Sequence, residues 1–132
     1  FRDSEYLRYD IALDRVDAGY PRPIAGNWTG VPASWTGIDA AVAWDNGKAY
    51  FFRGAQYVRV DLATKDVDPG YPKNIVDFWP GLYTSGIDHA ITLGDKAYFF
   101  RGTTYERYDL GNDEVDPGYP AVIAGNWPGL PF

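Results

Sequence analysis

Residues 67–82 read "VDPGYPKNIVDFWPGL", and nearly the same phrase returns at residues 115–130 as "VDPGYPAVIAGNWPGL". A looser version, "VDAGYPRPIAGNWTGV", occupies residues 16–31. The tryptophan of each later phrase follows that of the phrase before it by 51 and then 48 residues. A period of this size indicates a chain built from repeated structural units.

Each complete unit has four pieces, of which the phrase is the last. In the middle of the chain the first three are "GIDAAVAW" at residues 37–44, "KAYFFRG" at residues 48–54 and "QYVRVD" at residues 56–61. They are short, rich in β-branched and aromatic residues, and bounded by Gly, Asp and Asn, so each is predicted to be a strand. The Asn-Gly between the first two indicates a tight hairpin. Three strands joined by short turns predict an antiparallel meander.

The phrase itself predicts a turn followed by a short helix. Its "DPG" has Pro and Gly at the two central positions of a β-turn. Ile75, Phe78 and Trp79 then follow at helical spacing, which predicts that they share one face of a short helix. Trp28, Trp79 and Trp127 recur in every unit, so they are interpreted as core residues between units.

The strands carry apolar residues on both faces. In "AYFF", Ala49 and Phe51 point to one face of the sheet, and Tyr50 and Phe52 to the other. Such a sheet must be covered on both faces, and a ring of small sheets around an axis achieves this. The sequence therefore predicts an all-β propeller with a partial unit at residues 1–32 and complete units at residues 33–82 and 83–132.

The pieces "IDAAVAW", "KAYFFRGAQYVRVD" and "VDPGYPKNIVDFWPGL" strongly resemble hemopexin-like repeats, and the resemblance covers essentially the whole chain. It is closest to bacterial and fungal stand-alone members, and it implies a four-bladed propeller. Four units at this spacing need about 200 residues, and the chain has 132. We expect either a piece of a longer chain or several copies that complete a ring as a homo-oligomer.

The resemblance also implies an ion site on the propeller axis. The family's "DAA" strand offers main-chain carbonyls to a cation, which would here be those of Asp39, Ala41, Asp88 and Ala90. Carbonyl oxygens suit calcium or sodium, and amide groups on the same edge suit chloride. The alternative is that Asp39 and Asp88 start their strands and cap local N–H groups.

Three further sets of residues have a functional and a structural interpretation. His89, the single histidine, is a candidate haem ligand or a side chain packed near the channel mouth. The Arg and Asp columns of the repeat predict ion pairs between blades, with Asp66 and Asp68 solvated. Trp35 and Trp44 lie outside the repeat and are candidates for stacking on a sugar.

Composition narrows the function. The net charge of −6 argues against nucleic acid, which needs basic residues in excess. No apolar run is long enough for membrane insertion, and the absence of cysteine excludes disulfides and thiolate chemistry. An active site is built once whereas these motifs are copied, so the chain is predicted not to be an enzyme.

The function predicted from the sequence is therefore a binding module with an axial metal ion and a small-molecule or protein ligand. The alternatives are a haem- or polyamine-binding protein, a targeting or exosite domain of a larger secreted enzyme, and a carbohydrate-binding lectin. Resemblance to the family favours an extracellular location.

Overall fold

The computed structural model describes residues 1–130, which form small antiparallel sheets and a single short helix. The first unit contains β1 (Glu5–Tyr6), β2 (Tyr9–Asp10), β3 (Arg15–Val16) and β4 (Arg22–Pro23). The second contains β5 (Ala40–Ala43), β6 (Lys48–Arg53), β7 (Gln56–Asp61), β8 (Asp66–Val67), β9 (Lys73–Asn74) and α1 (Ile75–Phe78). The third contains β10 (His89–Leu93), β11 (Lys96–Arg101), β12 (Thr104–Asp109), β13 (Glu114–Val115) and β14 (Ala121–Val122).

The second and third units have the same topology. Strands β5, β6 and β7 form the predicted meander, in which Ala40 lies opposite Phe52 and Phe52 opposite Tyr57. Strands β8 and β9 both pair with β7, so together they make a fourth, outer strand interrupted by the "DPGYP" corner. The sequence did not predict this outer strand, because each half has two residues and no periodicity.

The first unit keeps only the outer part of this arrangement. Strands β1 and β2 occupy the positions of β7, and they pair with β4 and β3 in place of β9 and β8. This unit is therefore the outer half of a blade, as its sequence indicated.

The two faces of the meander are buried in different places. Tyr50 and Phe52 belong to a core shared with the third unit, which includes Trp79 and Tyr108. Phe51 and its face belong to a separate core toward the first unit, against which Trp28 packs. The prediction that both faces are covered by neighbouring units is confirmed for the second unit, whereas the core around Phe100 in the third unit contains only residues of that unit.

The predicted helix is one turn long. The Trp79 N–H donates to the Ile75 carbonyl at 3.0 Å, and equivalent bonds close the matching turns of the other two units. Ile75 and Trp79 are buried, but Phe78 is 48% exposed, so the prediction that it shares their face is wrong. A four-residue helix does not constrain three side chains to one side.

A backbone hydrogen bond joins each unit to the next. The Val67 N–H donates to the Thr29 carbonyl at 2.8 Å, and the Val115 N–H donates to the Pro80 carbonyl at 3.1 Å. A Cβ added to Gly81, which has a φ of +82°, would lie 3.0 Å from the Val115 Cβ. Gly30 of the first phrase and Gly81 of the second therefore allow close contact between neighbouring blades. We call the contacts of Gly30 with Val67 and of Gly81 with Val115 the blade latch.

The charged columns form ion pairs within blades, not between them. Asp68 accepts from Arg59 at 2.6 Å and from Lys48 at 3.0 Å, and Lys48 also reaches Asp61. The third unit repeats the set with Asp116, Arg107, Lys96 and Asp109. The predictions of pairs between blades and of a solvated Asp68 are therefore wrong, because the "DPG" corner folds back over its own third strand.

Candidate functional site

The first strands of the second and third units, β5 and β10, lie side by side, and the Thr92 hydroxyl donates to the Ala43 carbonyl at 3.1 Å. At the other end of these strands they border a cavity of about 470 Å³, which we call the central cavity. Its lining includes four of the residues singled out from the sequence, Asp39, Ala41, His89 and Ala90, as well as Trp127. Three of the four predicted ion-site residues, Asp39, Ala41 and Ala90, therefore border one cavity, and Asp88 is not among its lining residues.

The backbone of β5 shows which carbonyls face this side. The Trp44 N–H donates to the Lys48 carbonyl on β6. Because a trans peptide points its C=O opposite to its N–H, the Ala43 carbonyl faces away from β6, where Thr92 binds it. The alternation of an antiparallel ladder carries this direction to the Ala41 carbonyl. The Asp39 N–H donates to the Phe52 carbonyl on β6 at 2.8 Å, so the alternation does not extend to Asp39.

The main-chain carbonyls of β10 alternate in the same way as those of β5. The two-residue turn Gly94–Asp95 places Leu93 opposite Lys96, the pairing that closes a tight hairpin. The carbonyl of Ala90 therefore also faces away from β11. The Asp88 N–H donates to the Phe100 carbonyl on β11 at 2.9 Å, so the alternation does not extend to Asp88. Main-chain oxygens from both strands suit a hard cation, so the residues present fit the axial ion that the family implies.

The carboxylates of Asp39 and Asp88 have a different task. Asp39 accepts from the Gly54 N–H at 2.8 Å and from Arg53 at 2.9 Å. Asp88 accepts from the Gly102 N–H at 2.7 Å. Both side chains therefore cap the turn after the second strand, as the structural alternative proposed, and their main-chain carbonyls remain as the candidate ligands.

His89 is exposed and lines the central cavity. Among residues 1–130 no three His, Cys, Asp or Glu side chains are grouped closely enough to hold a metal ion. Haem ligation by His89 would have to come from this one imidazole per chain.

The tryptophans proposed for sugar stacking lie apart. Trp35 packs against the core around Phe51 and borders a cavity of about 440 Å³ that faces the first unit. Trp44 borders a separate cleft of about 520 Å³ between the second and third units. Its ring centroid lies 5.0 Å from that of Tyr50 and 5.7 Å from that of Trp79.

The cleft beside Trp44 is also lined by Lys73 and Phe78, which were not singled out from the sequence as binding residues. The signal was present in the repeat, because Asn27 and Asn126 occupy the position of Phe78 in the other units.

Electrostatics at the outer corners stabilise the blades. The Lys48 ammonium, with Arg59, lowers the pKa of Asp68, and Lys96, with Arg107, lowers the pKa of Asp116. These carboxylates therefore stay ionised well into acid. They serve the scaffold, because the same set recurs in both complete units.

Together, the two complete four-stranded units and the partial first unit define a propeller-type fold. The family model described as Hemopexin matches residues 1–33, 38–83 and 87–131. The chain belongs to the hemopexin family, and the resemblance stated from its repeats is confirmed.

Similar proteins extend beyond this chain. It is similar to interstitial collagenase of Equus caballus, with 42% identity over 65 residues, which are 48% of this chain and 14% of the collagenase. The hemopexin-fold protein CP4 of cow pea has a TM-score of 0.78 and 26% identity over 97% of this chain and 63% of its own. A plant lectin with two metal-binding sites from Cicer arietinum has a TM-score of 0.71 and 28% identity, over 95% and 58%.

Proposed function

We propose that this chain is a non-catalytic binding module in which the central cavity holds a hard cation through main-chain carbonyls. The observation that carries the proposal is the common direction of the Ala41 and Ala90 carbonyls on two strands that border one cavity. The cation would be calcium or sodium. When bound, it would neutralise the oxygen-lined edges and join neighbouring blades at the axis.

Three further points support this proposal. Carbonyls on a strand edge need a partner when they are buried. The net charge of −6 raises the concentration of cations around the molecule as a whole. The plant lectin of similar fold is described as having two metal-binding sites.

The proposal that the binding module is non-catalytic rests on the charged residues that are repeated in both complete units. Each complete unit carries the same Lys, Arg and Asp set, and these side chains bind one another. Among the described residues, no helix is long and apolar enough to cross a membrane. A small molecule or a protein at the blade surfaces would be the partner, and the similarity to an interstitial collagenase favours an extracellular location.

Ion binding is tested by thermal unfolding of the chain after treatment with a chelator, and again with calcium or sodium added. Calcium at about 100 times its Kd would add about 2.7 kcal/mol to the free energy of unfolding, which raises Tm by several degrees. An unchanged Tm in all three conditions would exclude the ion. Chloride is tested by replacing it with a bulkier anion in the same assay.

The Asp39→Asn variant distinguishes binding of the ion by the main-chain carbonyl of residue 39 from binding by its side-chain carboxylate. The substitution keeps the carbonyl, so the calcium-dependent rise in Tm should persist even though the bond to Arg53 is weakened. Loss of the rise in this variant would mean that the carboxylate is the ligand. A haem titration with His89→Ala as the control tests the second candidate, for which the exposed position of His89 beside the cavity is the support.

A further inference from the structure

The cleft between the second and third units holds the residues that depart from the internal repeat. We call it the interblade cleft, and it has a volume of about 520 Å³. Trp44, Lys73 and Phe78 all border it, and the third unit has Leu93, Ala121 and Asn126 at those positions. Copied positions serve the scaffold, whereas positions that vary among copies are free to serve a ligand.

Phe78 replaces a residue with a structural role. In the first unit the Asn27 side-chain amide donates to the Pro23 carbonyl at 2.9 Å, and in the third Asn126 donates to the Val122 carbonyl at 2.8 Å. The second unit loses this hydrogen bond and instead exposes 48% of an aromatic ring. The second unit therefore has an accessible aromatic ring beside the cleft in place of a hydrogen bond that serves the scaffold.

Lys73 lies over this ring. Its ammonium is 4.6 Å from the ring centroid of Phe78 and 4.6 Å from that of Tyr71. The ion pairs formed within residues 1–130 do not include Lys73, whereas neighbouring Arg59 is paired with Asp68. The cleft therefore offers one cation that no carboxylate of the described chain neutralises.

The rest of the lining is polar and aromatic. Asn46 comes from the β5–β6 turn, which is one residue longer than the matching turn of the third unit. Asp113 lies on the opposite wall and accepts from the Tyr108 hydroxyl at 2.7 Å. Rings beside hydrogen-bonding groups suit a ligand with flat apolar faces and many hydroxyls.

We propose that the interblade cleft binds an acidic saccharide, a sugar chain that carries carboxylate groups. The Trp44 and Phe78 rings pack against the sugar faces, and the Lys73 ammonium forms a charge-assisted hydrogen bond with a carboxylate. Asn46 and Asp113 bind hydroxyls. This site is independent of the ion in the central cavity.

Calorimetric titration of the intact chain with oligogalacturonic acid tests the proposal. The matched ligand is the same oligosaccharide with its carboxylates reduced to alcohols. We expect the acidic form to bind about tenfold or more tightly than the neutral form, because only the former pairs with Lys73. Absence of binding, or equal affinity for the two forms, would overturn the proposal.

Three variants restore the residues of the third unit and should therefore fold: Trp44→Leu, Lys73→Ala and Phe78→Asn. Each should weaken binding of the acidic form by about fivefold or more, and Lys73→Ala should also remove the preference for it. Val76→Asn is the control, because Val76 is on the same helix, is 63% exposed and lies outside the cleft. Binding that survives Phe78→Asn would contradict the assignment.

Repeating the titration in a chelator separates this site from the central cavity. We expect unchanged affinity, since none of the cleft residues belongs to the ion site. A loss of saccharide binding in the chelator would place the ligand elsewhere and refute the interblade site, while leaving the proposed ion intact.

Discussion

Glu106 is the one charged residue that is fully buried within residues 1–130, with 4% of its surface exposed. It lies on β12 where the second unit has Val58, and its carboxylate accepts from the Tyr83 N–H at 2.7 Å. Burial raises the pKa of Glu106, and the hydrogen bond from Tyr83 and the nearby Arg101 only partly oppose this. Ionised Glu106 therefore lowers stability relative to its protonated form.

Glu106→Gln should remove this pH dependence. A raised pKa in the folded state means that the contribution to stability is full below the pKa of the unfolded chain and is lost as the pH rises through the folded value. At pH 7 the variant should be more stable by on the order of 1 kcal/mol, because Gln accepts the same hydrogen bond without a buried charge. Urea unfolding across a pH series measures the difference, which should vanish in acid.

Glu114→Gln is the control, since Glu114 is exposed on β13. A constant difference between Glu106→Gln and the parent protein at every pH would show that the carboxyl does not titrate in this way.

The blade latch shows how one short element can hold two units together. Gly30 and Gly81 have positive φ and lie against Val67 and Val115 of the next unit. Gly129 holds the same place in the third phrase with a φ of +89°, but no atom of residues 1–130 lies within 4 Å of a Cβ built there. The four residues "WPGL" around this glycine are identical in the last two phrases, and the neighbouring segment differs.

Gly81→Ala should therefore destabilise the protein more than Gly129→Ala. Both substitutions put an L-residue at positive φ, which costs about 1–2 kcal/mol. The methyl group introduced by Gly81→Ala must also displace Val115, and this adds about 1–3 kcal/mol. Thermal unfolding of the two variants compares them, and equal losses would show that the latch does not hold the units together.

At the scale of the whole molecule, two segments equivalent to the two sides of the blade latch have no counterpart in the described chain. They are the segment of Val16 in the first unit and that of Pro128 and Gly129 in the third. The Asp17 N–H donates to the Arg8 carbonyl, so the Val16 N–H faces away from its own sheet, as those of Val67 and Val115 do. Val16 is 38% exposed, and nearby Ile11 and Leu13 are 88% and 59% exposed. At the other end, the Pro128 carbonyl matches the acceptors Thr29 and Pro80.

We expect these two edges to pair between copies of the chain. Light scattering over a range of concentrations should then give a mass above the 14.8 kDa of one chain. Val16→Asp should reduce the association, because it places a charge against the latch glycine of the neighbouring copy. Val122→Asp, at a residue that is 55% exposed on β14, is the matched control. A monomer at all concentrations would contradict the expectation.

Much of the fold could be predicted from local pattern. The alternation in "AYFF" predicted that Tyr50 and Phe51 enter different cores, and the repeat predicted equivalent blades. These features depend on hydrogen bonding and side-chain direction within a few residues. The axial site was implied by the resemblance to hemopexin-like repeats, and three of its residues, Asp39, Ala41 and Ala90, border the central cavity.

The sequence by itself determined the strands, the two-faced sheets and the family. Only the tertiary structure decided that Asp68 pairs within its own blade, that two short strands complete each sheet, and that Trp44, Lys73 and Phe78 meet at one cleft. The physical reason is that alternation and turn chemistry act over a few neighbouring residues. Contacts between segments distant in the chain depend on how whole blades pack, and no local pattern carries that information.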